Sequence, residues 1–368
     1  LVERIDIVGN TVTNESVIRS ELLLDEGDPF NNLKLDQSLA RIKSRNIFGE
    51  VKKRIIDGSS KDKKIIEIIV EEKPTGEITA GAGIGTTGGS LSFAVSENNW
   101  LGKGINVGTS LEFSKETFRG TFRVSDPNYN FSGNSLNYFV SNTSNDKPNS
   151  GYKNNIISTG FGTRFEQYKN VYIAPRLALS YDDLEVNSSA SKSLRKQKGA
   201  FTDLSFDYAV TLDNRDRVYA PTDGYLSSFS QGIPVYSDAP YLKNTYAFSK
   251  YKSVTKSAVG TFKLYATAIN GLSDKDVRLS KRANLSSTRL RGFEAGKVGP
   301  KDGVDYVGGN YAMASNFEVT LPNLLPEYTK TDVGLFLDFG NVWSVDYDKQ
   351  LDDSNKIRSS AGVNTSWL

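Results

Sequence analysis

The chain has 368 residues with no Cys and no His, which excludes disulfides, thiolate nucleophiles, Cys/His zinc sites and Ser-His-Asp triads. Lys plus Arg is 45 and Asp plus Glu is 43, a net charge of +2 with no polybasic tract, so nucleic acid is not an expected partner. No apolar run approaches the about 20 residues of a membrane helix, so a membrane form of this chain has to be a β-barrel. Its 32 Gly, 18 Tyr and 19 Phe, at only 38% apolar content, fit strands that are apolar on one face. With no initiator Met and no signal peptide at Leu1, the chain reads as a mature protein or a fragment.

Residues 1–73 mix helix and strand signals. A strand over residues 2–8 stops at Gly9 and Asn10. Thr13 is placed to cap a helix reaching about Leu24, and a second helix starts near Asn32 with the stripe Leu35, Leu39 and Ile42. Strands over 50–57 and 64–72 follow, joined by Gly58, Ser59 and Ser60. The order is β-α-α-β-β, a small α+β domain. Residues 74–78 are read as a linker.

From about residue 79 to 368 the period is two. Val333, Leu335, Leu337 and Phe339 alternate with Gly334, Phe336, Asp338 and Gly340. Leu204, Phe206, Tyr208 and Val210 alternate with Ser205, Asp207 and Ala209. A soluble sandwich shows the same alternation. Loop lengths favour a barrel: 14 strand segments are predicted, several longer than 10 residues, with short joints alternating with long polar ones at 145–151, 183–198 and 344–355. The joint at 270–307 is long enough to be functional. The short joints at 98–103 and 167–170 should share a rim with the N-terminal domain. Trp100 and Trp343 fit interfacial girdles; Trp367 could too.

This arrangement resembles the outer-membrane protein insertase family, whose soluble modules are POTRA domains. The resemblance covers essentially the whole chain. Its most specific stretch is Leu290, Arg291, Gly292 and Phe293 in the long joint, similar to the family's Arg-Gly-Phe motif. Supporting it are Asp213, Asn214, Arg215 and Asp216, followed by Pro221, Thr222, Asp223 and Gly224. Asp126-Pro127, Asp338 to Asn341, and Val8-Gly9-Asn10 add to it. The resemblance implies a POTRA domain followed by an antiparallel transmembrane barrel of 16 strands. Only 14 can be placed, so the closing strands are expected to be missing from a truncated sequence.

The resemblance implies a bacterial outer-membrane location with the N-terminal domain in the periplasm. It implies folding and insertion of client barrels, with unfolded outer-membrane proteins, accessory periplasmic lipoproteins and outer-membrane lipid as partners. No cofactor, metal or enzymatic chemistry is expected. A family relative serving autotransporters, a two-partner-secretion transporter and a plain porin-like channel remain as alternatives.

Three groups of residues are candidates. Glu318 and Asp338 lie on polar strand faces and so point into the lumen, where two carboxylates repel unless a cation joins them. Arg291 can bridge both with its planar fork, with Gly292 allowing a tight turn and Phe293 wedged on the wall. The family's role for this latch is structural. The first barrel strand, with Ile78, Ala80, Gly81, Gly83 and Gly85, is either a strand end making room for a partner or a weak seam that templates an incoming strand. The resemblance implies client entry at that seam. Asp213, Arg215 and Asp216 fit a salt-bridged turn rather than a catalytic pair. In the small domain, strand 64–72 or 2–8 could accept an extended client segment; a spacer or a lipoprotein docking plate is the alternative.

Overall fold

The computed structural model describes residues 1–85, 88–255, 258–321, 324–326, 329 and 331–367. Three strands, β1 (Val2–Val8), β2 (Phe48–Asp57) and β3 (Lys64–Glu72), and two helices, α1 (Glu15–Arg19) and α2 (Asn32–Ser44), build the N-terminal domain. Strand β3 alternates Ile66, Ile68 and Val70 into the core, where they meet Ile18, Leu35 and Ile42. Asn31 caps α2 by accepting from the Leu33 and Lys34 amides, at 2.9 and 3.2 Å.

Two expectations for this domain are corrected. Helix α1 ends at Arg19 rather than near Leu24, and its N-cap is Asn14, not Thr13. The chain leaves the helix because Ser38 Oγ of α2 accepts the Leu23 amide at 2.8 Å, while Glu21 turns toward Arg41 and Arg45. Residues 64–72 are no free edge either. The sheet order is β1-β3-β2, parallel on one side of β3 and antiparallel on the other, so the edges are β1 and β2.

Glu72 closes the domain. Its carboxylate accepts from the Thr11 hydroxyl at 2.6 Å and from the amides of Thr11, Val12 and Thr13. Burial pushes this carboxyl upward, but hydrogen bonds from Thr11, Thr13 and Val12 outweigh it and hold it at about 2, against an ordinary 4.5. A depressed carboxyl stabilises the fold above its unfolded value, and that contribution fades as pH falls from about 4.5 toward 2. Glu72→Gln should therefore destabilise the N-terminal domain at neutral pH. The difference from the parent should vanish near pH 2 in urea titrations followed by circular dichroism of the helices. A pH-independent difference would argue against it.

The second body is one antiparallel sheet of 14 strands. Its first half contains β4 (Gly76–Gly85), β5 (Gly88–Trp100), β6 (Ile105–Ser114), β7 (Thr117–Asp126), β8 (Ser135–Lys147), β9 (Tyr152–Tyr168) and β10 (Val171–Val186). A short helix, α3 (Lys192–Arg195), leads to β11 (Gly199–Asp213), β12 (Gly224–Ser237), β13 (Tyr241–Thr255) and β14 (Ala258–Gly271). A two-stranded hairpin, β15 (Lys301–Asp302) and β16 (Asp305–Tyr306), lies in the long joint before β17 (Tyr311–Leu321), β18 (Thr331–Trp343) and β19 (Arg358–Trp367). Each large strand pairs with its predecessor in the sheet, and β14 pairs with β17 across the long joint. The period-two reading thus placed the strands. Strand β4, however, begins at Gly76, inside the stretch read as linker.

The face lined by Phe93, Phe122, Phe161, Phe206, Phe317 and Leu335 is 37–56% exposed at these positions, an apolar wall suited to lipid rather than water. On it, Tyr225, Phe248, Phe262, Phe317 and Phe339 form a ladder across five strands, with ring centroids 4.9–6.4 Å apart. The other face encloses the long joint. That joint touches strands from opposite parts of the sheet, reaching Asn149 between β8 and β9 as well as Asp338 on β18. The sheet therefore curls around it. Among the described residues β4 and β19 are the two edges and are not paired with each other.

The N-terminal domain sits on one rim of the curled sheet. The Asn14 amide donates to Gly102 O in the β5–β6 turn at 2.8 Å, and Asn99 Nδ2 donates to Thr13 Oγ1 at 2.9 Å. Gly102 has φ +70°, and a Cβ there would stand 2.1 Å from Val12 O, so only glycine allows this approach. Arg45 donates to Gly104 O at 2.9 Å, and Asn128, in the β7–β8 turn, reaches Ser20 O and Glu21. Behind them Glu21 is buried between Arg41 at 3.2 Å and Arg45 at 3.6 Å. Burial lowers the Arg45 pKa; Glu21 and Asp126 oppose it. The joint at 98–103 thus lies on the domain's rim. Strand direction places 167–170 there too, and 183–198 and 270–307 on the other rim.

Candidate functional site

Strands β17 and β18 carry Glu318 and Asp338 on the enclosed face because each is in phase with small neighbours: Ala312, Ala314 and Asn316 on one, Gly334 and Gly340 on the other. Asn316 pairs with Asp338, which puts Glu318 one step away on the same face. Arg291 reaches both. Its Nε and Nη2 donate to the two Asp338 oxygens at 2.8 and 2.7 Å, and its Nη1 donates to Glu318 Oε2 at 2.6 Å. The Arg291 amide adds a third bond to Asp338 at 3.0 Å. Asp338 is wholly buried, so this bidentate pair operates with little screening from water. The guanidinium also lies 3.8 Å from the centre of the Phe336 ring.

Gly292 takes φ +83°, and Phe293 packs on a buried cluster containing Leu285, Leu290, Ala314 and Val342. The five residues singled out in the sequence as a latch are therefore brought to one place on the enclosed face.

Two further arginines of the same joint were missed. Arg278 is buried, donates to Asp203 and lies 4.5 Å from the Phe201 ring centre; Asp182 and Lys281 complete the cluster. Arg282 donates to Asp346 at 2.6 Å and to Val277 O at 2.7 Å. Strand phase already put Asp182 and Asp203 on the enclosed face. Neither carboxylate has a cation opposite it on a neighbouring strand, and that was the signal to search the long joint for one.

Strand β4 pairs through its whole length with β5, from Gly76 opposite Glu97 to Gly85 opposite Gly88. Its enclosed face carries Thr79, Gly81 and Gly83; its outer face carries Ile78 and Ile84, exposed by 83% and 96%, separated by Ala80 and Ala82. The strand has little side chain with which to hold a neighbour. Asp213, Arg215 and Asp216 form a turn held by its own bonds, with Arg215 bidentate on Asp213 at 2.8 Å and Asp216 accepting from the Thr222 hydroxyl at 2.7 Å. Trp100 stands at the rim bearing the N-terminal domain and Trp343 at the opposite one. The side chain of Trp367 lies outside the described residues.

Comparison with known proteins agrees with this geometry. Residues 99–368 match the Omp85 superfamily domain, and residues 1–73 match the POTRA model, described as a surface antigen variable number repeat. The chain is 28% identical over its whole length to the outer membrane protein assembly factor BamA of Neorickettsia risticii, of which it covers 50%. It is 27% identical to BamA of Neisseria meningitidis serogroup B, covering all of this chain and 52% of that one. The chain thus spans about half the length of these curated relatives. Among solved structures, BamA from Haemophilus ducreyi lacking POTRA domains 1–3 superimposes with a TM-score of 0.86 at 21% identity, over 100% of this chain and 78% of that one. CdiB from Acinetobacter baumannii gives 0.59 at 13% identity, over 99% and 67%.

Proposed function

The chain belongs to the Omp85 superfamily, and on that footing we propose that it takes part in folding and inserting other β-barrel proteins into a bacterial outer membrane. The apolar wall lies in lipid, and the N-terminal domain lies on the periplasmic rim. Unfolded outer-membrane proteins are its clients, and accessory periplasmic lipoproteins engage the POTRA domain. The chain works without nucleotide or covalent chemistry; the free energy comes from the client's own folding.

The observation that carries this reading is the composition of β4 in its place. A strand with Gly81 and Gly83 on one face and two isoleucines spaced by alanines on the other offers a neighbour mainly backbone hydrogen bonds. Such an edge exchanges partners easily and can accept a client strand by β-augmentation. The pinned joint supports assembly over a porin-like role, because it occupies the space a wide channel needs. Photocross-linking from Ala82, in cells carrying the whole protein, tests the reading. Adducts with unfolded barrel proteins are expected; their absence, with adducts elsewhere on the chain, would remove β4 from the mechanism.

A further inference from the structure

We propose that the outer wall formed by β13, β14, β17 and β18 holds one anionic glycerophospholipid at the POTRA-side rim, its headgroup phosphate on Lys250 and Lys252 and an acyl chain in the groove over Gly260. The proposal rests on the reading of the apolar wall as lipid-embedded.

Lys250 and Lys252 share the outward face of β13 with Tyr246 and Phe248, close to where the strand ends at Thr255 on that rim. Lys250 is paired with Phe262, Phe262 with Phe317, and Phe317 with Leu337, so that row is filled. One step nearer the rim, Lys252 is paired with Gly260, Gly260 with Val319, and Val319 with Leu335. The glycine leaves that row without a side chain at its second position. The result is a groove of about 510 Å³ with Gly260 as part of its floor and Phe317, Val319 and Leu335 as apolar walls. Its size falls within the about 300–1,000 Å³ of small-molecule sites.

Charge selects the occupant. Among the described residues Lys250 has no carboxylate within ion-pair distance, while Lys252 meets Asp223 at 2.8 Å. Two cations and one carboxylate leave a surplus of one positive charge, matching a single phosphodiester. Both side chains are flexible, and lysine stems lie along apolar surface while the ammonium reaches the headgroup layer. Among the described strand residues no other cation faces outward in the POTRA-side half of the wall, so the pair is not a ring of interfacial lysines.

The test uses the whole protein reconstituted in vesicles of phosphatidylcholine with a minor share of phosphatidylglycerol, then released for native mass spectrometry. The unsubstituted chain should retain one phosphatidylglycerol in preference to phosphatidylcholine. The double variant Lys250→Gln/Lys252→Gln should lose about tenfold of that preference, since each interfacial lysine attracts an anionic lipid measurably. Gly260→Leu, which fills the groove with both lysines intact, should lose it as well, and Lys169→Gln in a rim turn should not. Retention by both groove variants at the unsubstituted level, or an inserted chain with no preference for phosphatidylglycerol, would overturn the proposal and leave the barrel reading standing. A chain that fails to enter vesicles of any composition would overturn the barrel reading, and this proposal with it.

Discussion

Arg291→Ala should release the inward joint and weaken its docking by about 3–5 kcal/mol, the usual cost of removing one member of a buried ion pair. The cost arises on the acidic side. Asp338 is fully buried and takes three hydrogen bonds from Arg291, so the substitution leaves a carboxylate in a closed site with no cation. Glu318 suffers less, because its side chain is one-fifth exposed and keeps Asn364 and Thr320 nearby. Arg291→Lys keeps the charge but cannot fork across both carboxylates, so it should fall between. Adding Asp338→Asn to Arg291→Ala should restore part of the loss, since the orphaned charge is then gone. The absence of native Cys makes the readout clean: alkylation of a cysteine placed at Ser287 should speed up in Arg291→Ala and slow again in the double variant. Equal rates in all of them would mean that the joint is held by its apolar contacts and by Arg278, Arg282 and Arg289.

Glu21→Ala should free the N-terminal domain from its rim. Glu21 and Arg45 have side chains only 8% and 11% exposed, and Arg45 holds Gly104 O from its other side. Without Glu21 the buried guanidinium has no partner in its own domain, at a cost of about 3 kcal/mol. The cheapest relief is for the domain to swing away and hydrate it. Spin labels on cysteines at Lys61 and Lys169 should give a narrow distance distribution in the parent and a broad one in Glu21→Ala, with Glu21→Gln between. An unchanged distribution would assign the docking to the backbone contacts of Asn14 and Gly102 alone.

The phase of the strands was legible because one lipid-like face and one polar face make period two persist over ten or more residues. That phase was enough to place Glu318 and Asp338 on the enclosed face, since a one-residue slip would move every neighbour with them. The N-terminal helices were legible only in part. The stripe of α2 is local, but the end of α1 is set by Ser38 and Arg41 of α2, about 20 residues away, and no propensity of Leu22, Leu23 or Leu24 encodes that. The central place of β3 escaped for a similar reason: a parallel pairing between β1 and β3 leaves no turn signature. The pairing of Arg278 with Asp203 and Asp182 joins residues up to 96 positions apart, and only the closed geometry selects it.

If a client strand pairs along β4, disulfide trapping will record the pairing in register. Single cysteines at Ile78, Ala80, Ala82 and Ile84 in the whole protein would be combined with single cysteines along the terminal strand of a client barrel stalled during assembly. Trapped pairs should advance two residues on the client for each two on β4, as one continuous register requires, and none should form from cysteines at Leu179 or Tyr181 on the outer face of β10. Trapping spread equally over β4 and β10, or missing from β4 while assembly proceeds, would contradict pairing along β4.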